Sequence, residues 1–160
     1  MSVTVQDILS RTAALERTII SPTSGSALKA YANVPYSITA ADMPLFVNFV
    51  GNLQQVVLQG SDELAQDFQE IRLYNLVLYL APYGTGVQGE KFGLLSPYFD
   101  LVLAKMQAYP HLNNLPGIVN SRIVSDTGMG VVAFQDTKYF GIRFVLQVTS
   151  KTRRLLAAGE

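Results

Sequence analysis

Residues 139–150 read YFGIRFVLQVTS, and this stretch decides the fold class. Its side chains alternate between an apolar set and a mixed set, which is typical of a β-strand that buries one face and exposes the other. We therefore predict a long, half-buried strand in an antiparallel sheet. The apolar set is Phe140, Ile142, Phe144, Leu146 and Val148; the mixed set is Tyr139, Gly141, Arg143, Val145, Gln147 and Thr149.

The segments just before this strand predict the rest of an antiparallel meander. Residues 118–125 and 131–135 are short strand-like stretches, separated by the turn DTGMG at 126–130. Residues 136–138 form a tight connection into the last strand. The tail at 151–160, KTRRLLAAGE, contains no recognisable cap, so we expect it to fray or to dock on a partner.

A helix is predicted upstream of the meander, over residues 96–109. Ser96 is a suitable N-cap, Pro97 fits the first helical position, and Pro110 ends the helix. We expect this long helix to pack on the sheet. Its apolar residues recur at three- and four-residue spacing: Tyr98, Leu101, Val102, Met106 and Tyr109.

The N-terminal half predicts a second helix and further strands. Thr4 is a plausible N-cap for the helix, with Asp7 in its first turn. Residues 45–50 predict a short strand, with 54–59 as its hairpin partner. Residues 70–81 predict a strand that is apolar on both faces from Leu76 onward, and therefore central. The fold class is α+β: a mostly antiparallel sheet with one long helix packed on it and an N-terminal helix.

Composition limits the possible functions. The chain has 160 residues, the usual size of one domain, and we expect a single α+β domain over 1–160 with a flexible loop at 21–39. Only 15% of residues are charged and the net charge is zero, which favours association and disfavours a dedicated nucleic-acid binder. The sequence contains no cysteine and one histidine, His111, so a thiolate metal site or a histidine relay is excluded within the chain.

Neither end of the chain nor any apolar run predicts a membrane protein. No run reaches the length needed to span a bilayer. The stretch MSVTVQDILSRTAALERT lacks the basic start and apolar centre of a signal peptide. We therefore expect a protein made in a cytoplasm, with no membrane partner.

Two stretches match catalytic or nucleotide-binding motifs. Residues 84–89, GTGVQG, match G-x-G-x-x-G after a strand. The predicted helix starts too late for a dinucleotide site, however, and no acid follows until Asp126. Residues 26–29, SALK, match S-x-x-K but lack the companion motifs of penicillin-recognising enzymes. We expect no catalytic residue, cofactor or metal; the carboxylates Asp62, Glu63, Asp67 and Glu70 are interpreted as a solvated face.

Several residues are instead candidates for contacts between proteins. Arg153 and Arg154 lie beside Leu155, a combination that suits a docking segment with a charged rim and an apolar centre. Tyr83 adjoins the glycine-rich loop, where an aromatic anchor would be accessible. The remaining candidates are Val87 and Gln88 in that loop, and Tyr139 and Arg143 on the mixed face of the last strand.

In their order along the chain, these elements resemble the tail terminator (tail-completion) proteins of long-tailed bacteriophages. The resemblance is one of segments and spacing, without a catalytic motif. It spans most of the chain and is carried by TAADMPLFVNFVG at 39–51, IRLYNLVLYLAPYGTGVQGE at 71–90, SPYFDLVLAKMQAYPHLNNLPGI at 96–118 and YFGIRFVLQVTSKT at 139–152.

The resemblance implies a structural subunit and not an enzyme. Such a subunit forms a ring, typically a homohexamer, that caps the tail tube, stops its elongation and joins the tail to the head. Its implied partners are other copies of itself, the phage tail tube protein and a head–tail connector or stopper protein. DNA passes through the lumen without specific binding, and the location is the virion tail or neck after assembly in the host cytoplasm.

Other functions remain open at this point. A head–tail stopper or another connector subunit belongs to the same structural class. A nucleotide-binding enzyme that uses residues 84–89 belongs to a different class, as does a cellular ligand-binding or regulatory domain. Nucleotide titration followed by thermal stability separates the enzyme from the ring subunit.

Overall fold

The computed structural model describes residues 2–84 and 95–157. Within these ranges, six strands form one mostly antiparallel sheet in the order β1-β2-β3-β6-β4, with β5 also paired to β6. The fold class predicted from the sequence, α+β with a mostly antiparallel sheet, is confirmed. The elements are α1 (Val5–Glu16), β1 (Lys29–Tyr31), a 3₁₀ turn (Ala40–Asp42), β2 (Leu45–Ser61), β3 (Ala65–Pro82), α2 (Pro97–Ala108), β4 (Ile118–Asp126), β5 (Gly130–Phe134) and β6 (Thr137–Leu155).

The two helices within residues 2–84 and 95–157 have equal length, so the prediction of one long helix is not confirmed. Each contains 12 residues. Helix α1 begins as predicted: the Thr4 hydroxyl accepts from the Asp7 backbone N–H while the Asp7 carboxylate accepts from the Thr4 backbone N–H. Ser96, by contrast, has helical backbone angles and its side chain makes no cap hydrogen bond. Pro97 is the first residue of α2, as predicted, whereas the predicted side-chain cap by Ser96 is not formed.

Strand β3 is the centre of the sheet, as the sequence predicts. It pairs with β2 on one side and β6 on the other, and every residue from Leu76 to Leu80 is buried. The predicted short hairpin of 45–50 with 54–59 is wrong, because both segments belong to the single strand β2. Gly51 lies within irregular pairing between Val50 and Leu53 that bends the strand without ending it.

Strand β6 shows the predicted alternation but is longer than predicted. Residues 151–155 continue its pairing with β3, from Lys151 opposite Gln69 to Leu155 opposite Ala65. The expectation that these tail residues fray is therefore wrong, because β3 offers them a complete hydrogen-bonding edge. Of the predicted meander, the hairpin of β5 with β6 is confirmed, but the pairing of β4 with β5 is wrong: these two strands lie end to end along the same edge of β6.

The two faces of the sheet carry separate cores. Both helices cover one face, where Tyr98, Val102 and Met106 of α2 belong to the same core cluster as Ile142, Phe144, Leu146 and Val148 of β6. A smaller cluster lies on the opposite face, at the end of the sheet where β5 folds over. It contains Ile38, Leu45, Val47, Val77, Tyr79, Val132 and Phe134.

The segment 21–39, expected to be irregular, contains strand β1. This strand pairs in parallel with the first residues of β2, from Lys29 opposite Leu45. The Ser21 hydroxyl lies 2.8 Å from the Tyr98 hydroxyl, and the Arg17 guanidinium donates to the Ala30 carbonyl at 2.6 Å. These contacts tie the segment to both helices.

A buried polar pair lies between α1 and β2. The side chain of Glu16 is wholly buried, and neither of its carboxyl oxygens has a hydrogen-bond partner among the described residues. Asn48 is also buried; its amide nitrogen donates to the Tyr31 carbonyl at 3.1 Å, but its oxygen has no partner there. Burial raises the pKa of Glu16 well above its usual range, and the nearby Asn48 amide and Arg17 offset part of that shift. The Glu16 carboxyl is therefore held toward its neutral form.

Candidate interaction surface

The far end of the sheet forms an extension with almost no core of its own. We call residues 52–72 and 151–155 the arm. Ala65 is its only buried residue. The arm forms because β2, β3 and β6 contain 17, 18 and 19 residues, far more than a 12-residue helix spans along them.

The arm exposes large apolar side chains. Leu53, Val56 and Leu58 lie opposite Arg72, Glu70 and Phe68 of β3, which places the three on one face of the arm. Leu64 at the turn and Leu155 at the end of β6 are 74% and 81% exposed. Several exposed apolar residues on one thin extension make the arm a candidate contact surface.

Ion pairs connect β6 to β3 and to the turn between β2 and β3. Arg153 of β6 contacts Asp62 at 2.6 Å and Asp67 at 3.3 Å. Arg154 contacts Glu70 at 2.6 Å, and its guanidinium lies 5.5 Å from the centre of the Phe68 ring. The predicted interface residues Arg153 and Arg154 thus pair with carboxylates of the arm itself, and three of the four carboxylates interpreted as a solvated face are their partners.

The turn of the arm is shaped by Asp62. Its carboxylate accepts from the backbone N–H groups of Leu64 at 2.8 Å and Ala65 at 2.7 Å. These two bonds, followed by the contact with Arg153, lower the pKa of Asp62. These contacts favour this conformation of the turn, in which the side chains of Glu63 and Leu64 are exposed.

One edge of the arm is open. Strand β1 pairs with β2 only from Leu45 to Val47. Beyond that point, no strand within the described residues pairs with the outer edge of β2, from Asn48 to Ser61. An unpaired edge offers backbone donors and acceptors to another chain.

A groove opens at the opposite end of the sheet, on the face away from the helices. It has a volume of about 310 Å³. Arg143 and Asn75 supply its polar groups, and no carboxylate of the described residues lies within ion-pair distance of Arg143. The rest of the lining is mostly apolar: Phe49, Val77, Tyr79, Val132 and Ala133.

The other predicted interface residues divide into two groups. Tyr83 is 49% exposed, with its ring centre 5.1 Å from that of Phe140, and so remains accessible to a partner. Tyr139 is half-buried and packs edge-on against Tyr79 at 5.6 Å, so it acts mainly in packing. Leu155 is exposed on the arm. Val87 and Gln88 lie outside the described residues.

The glycine-rich loop has little support from the surrounding topology as a nucleotide site. Only Gly84 of its six residues is described. A dinucleotide site needs two adjacent parallel strands joined through a helix. Here β3 and β4, which flank the loop and α2 in the chain, both pair with β6, which lies between them.

The two other residues considered for chemistry have ordinary surroundings. Lys29 of the S-x-x-K match forms an ion pair with Asp42, and this hydrogen bond raises the pKa of Lys29. A catalytic base would need the opposite shift. His111 is exposed in the loop after α2, and its backbone carbonyl accepts from Leu115.

The described residues form neither a metal site nor a membrane-spanning helix, and the sequence has no match among known families. Within residues 2–84 and 95–157, no group of three or more histidine, aspartate or glutamate side chains is placed to hold a metal ion. No helix in these ranges is long and apolar enough to cross a membrane. The sequence matches no model of a known protein family and no curated protein.

The sequence analysis missed most of the arm. Leu53, Val56 and Leu58 lie in LQQVVLQ, which was assigned to a separate hairpin strand because Gly51 and Asn52 before it have the composition of a turn. One signal was available: aspartate is common in turns, and Asp62 stands between residues 45–61 and 65–82, two stretches of similar length. That signal indicates a long hairpin instead of a short one.

Proposed function

We propose that this chain is a structural ring subunit of a phage tail or neck, and specifically a tail terminator. The arm is the observation that carries the proposal. It exposes Leu53, Val56, Leu58 and Leu64 on a thin extension, where a monomer gains little from them. A subunit that buries these side chains against a neighbour accounts for them.

The position of the surfaces favours a ring over a two-fold dimer. The arm and the groove are different patches at opposite ends of the sheet. A contact between unlike patches repeats from one copy to the next, and it closes into a ring when the rotation between copies divides a full turn. A hexamer is the ring that the resemblance to tail terminators implies.

The ring would cap the last ring of the tail tube and present its other side to the head–tail connector or stopper protein. Its lumen would pass DNA without gripping it. A net charge of zero suits that role, because tight binding of phosphates requires a surplus of basic residues. The virion tail or neck is the corresponding location.

The proposal is tested in the phage that carries the gene. Deletion of the gene is expected to give particles with overlong, unjoined tails, which electron microscopy measures directly. Purified protein added to growing tail tubes is expected to halt their elongation. Deletion mutants with tails of normal length and DNA-filled heads that leak would instead indicate a stopper. Normal infectious particles would refute the proposal.

A further inference from the structure

The tip of the arm carries one charged side chain, Glu63, and one apolar side chain, Leu64, that have no role in the described fold. Asp62 is fully engaged by two backbone N–H groups and Arg153. Glu63 is exposed and makes no hydrogen bond or ion pair within the described residues. Leu64 is 74% exposed. Because Asp62 fixes the turn, Glu63 and Leu64 are presented together on a preorganised tip.

The groove has the complementary chemistry. Arg143 is exposed and has no carboxylate partner among the described residues, while Phe49 and Val132 provide apolar wall. Its volume of about 310 Å³ lies at the lower end of the range for ligand pockets, about 300–1,000 Å³. That size suits one or two inserted side chains.

We propose that the tip of one copy inserts into the groove of the next copy, with Leu64 against the apolar wall and the Glu63 carboxylate on the Arg143 guanidinium. A tip cannot reach the groove of its own chain. Ala65 and Val77 lie on the same strand, β3, and a separation of 12 residues corresponds to about 40 Å. The contact is therefore between copies and runs head to tail. It rests on the proposed ring function and names the surfaces that build the ring.

Charge reversal at the two positions tests the contact. Glu63→Arg and Arg143→Glu are each expected to weaken self-association by at least about tenfold, because each juxtaposes like charges. The double variant, Glu63→Arg with Arg143→Glu, is expected to restore association to within about threefold of the wild type, because the pair is rebuilt with its signs exchanged. Sedimentation velocity over a range of concentrations gives the apparent dissociation constants.

Matched controls separate this contact from general electrostatics. Arg122→Glu makes the same change on the exposed sheet at an arginine that does not line the groove, and Asp136→Arg reverses an acid in the β5–β6 turn. Both are expected to leave association unchanged. Circular dichroism confirms that every variant is folded, and Leu64→Ser provides an independent, uncharged test that is expected to weaken association.

Three results overturn the inference. Rings that survive all three single substitutions would refute the contact while leaving the ring function intact. Single variants that weaken association without rescue in the double variant would show that Glu63 and Arg143 do not meet. A wild-type chain that stays monomeric, alone and with tail tubes, would refute both the contact and the proposed function.

Discussion

Replacement of Glu16 by glutamine is expected to stabilise the protein at neutral pH. The Glu16 carboxyl is wholly buried, and neither its oxygens nor the Asn48 side-chain oxygen has a hydrogen-bond partner in the described structure. Glutamine has nearly the same shape, carries no charge, and supplies an N–H group that can donate to the Asn48 oxygen. An unsatisfied buried polar group costs about 1–3 kcal/mol, so we expect Glu16→Gln to raise the free energy of unfolding by about that amount at pH 7.5.

The gain in the free energy of unfolding from Glu16→Gln is expected to depend on pH. Burial raises the folded-state pKa of Glu16, so the folded protein keeps this proton to a higher pH than the unfolded chain does. The stability associated with the neutral carboxyl is full below the unfolded-state pKa, about 4.3, and is lost as the pH rises through the folded-state pKa. The advantage of glutamine should therefore be smallest near pH 4 and grow toward neutral pH.

Urea unfolding followed by far-ultraviolet circular dichroism measures this difference at several pH values. For a domain of this size, a gain of about 1–3 kcal/mol corresponds to a rise in Tm of about 2–12 °C. Asp136→Asn is the matched control, because it removes the same charge from an exposed position outside the arm and the groove. The reasoning is refuted if Glu16→Gln destabilises the protein at pH 7.5, or if its effect is the same at every pH.

Two further substitutions test the fold. Gly141→Ala is expected to destabilise the protein by about 3 kcal/mol or more in urea unfolding, because the added Cβ would lie 2.1 Å from a backbone carbonyl oxygen of β3. Gly60→Ala is the control, since no atom lies within 4 Å of its added Cβ. Equal destabilisation by the two substitutions would contradict the packing described. Thr4→Ala is expected to cost about 1 kcal/mol through loss of the helix cap, whereas Thr4→Ser should cost little; an equal loss in both would argue against the cap.

The sequence predicted the parts of the fold whose patterns are local. The alternation in β6 and the two-sided apolar run from Leu76 to Leu80 were enough to identify a half-buried strand and the central strand. The Thr4 cap was likewise evident, because its partner Asp7 is three residues away. In each case the residues that determine the structure lie within one element.

The failed predictions involve pairing between distant segments. β4 pairs with β6 from Phe144 to Ser150 and β5 pairs with it from Thr137 to Gly141, and no local sequence pattern shows this register. The hairpin of β2 with β3 was not predicted, because Gly51 and Asn52 have the composition of a turn. In the structure, Gly51 lies in a bend of the continuous strand β2.

The candidate surface was only half predictable for the same reason. Arg143 is exposed by strand periodicity, which the sequence displays directly, whereas Leu155 was assigned to a tail and not to a strand. Arg153 and Arg154 are charged residues near the C-terminus, but their partners Asp62, Asp67 and Glu70 lie more than eighty residues away in the chain. Only the folded sheet brings these groups together.

Cryo-electron microscopy of the purified chain tests the central claim, that the arm is the contact surface of a ring. Class averages of the wild type are expected to show closed rings, whereas Leu53→Ser combined with Leu58→Ser should give folded monomers. Val34→Ser, which removes an apolar side chain that is 53% exposed and lies outside the arm, should leave the rings intact. Wild-type monomers that stay monomeric in the presence of tail tubes, or rings that persist in the arm variant, would contradict the account.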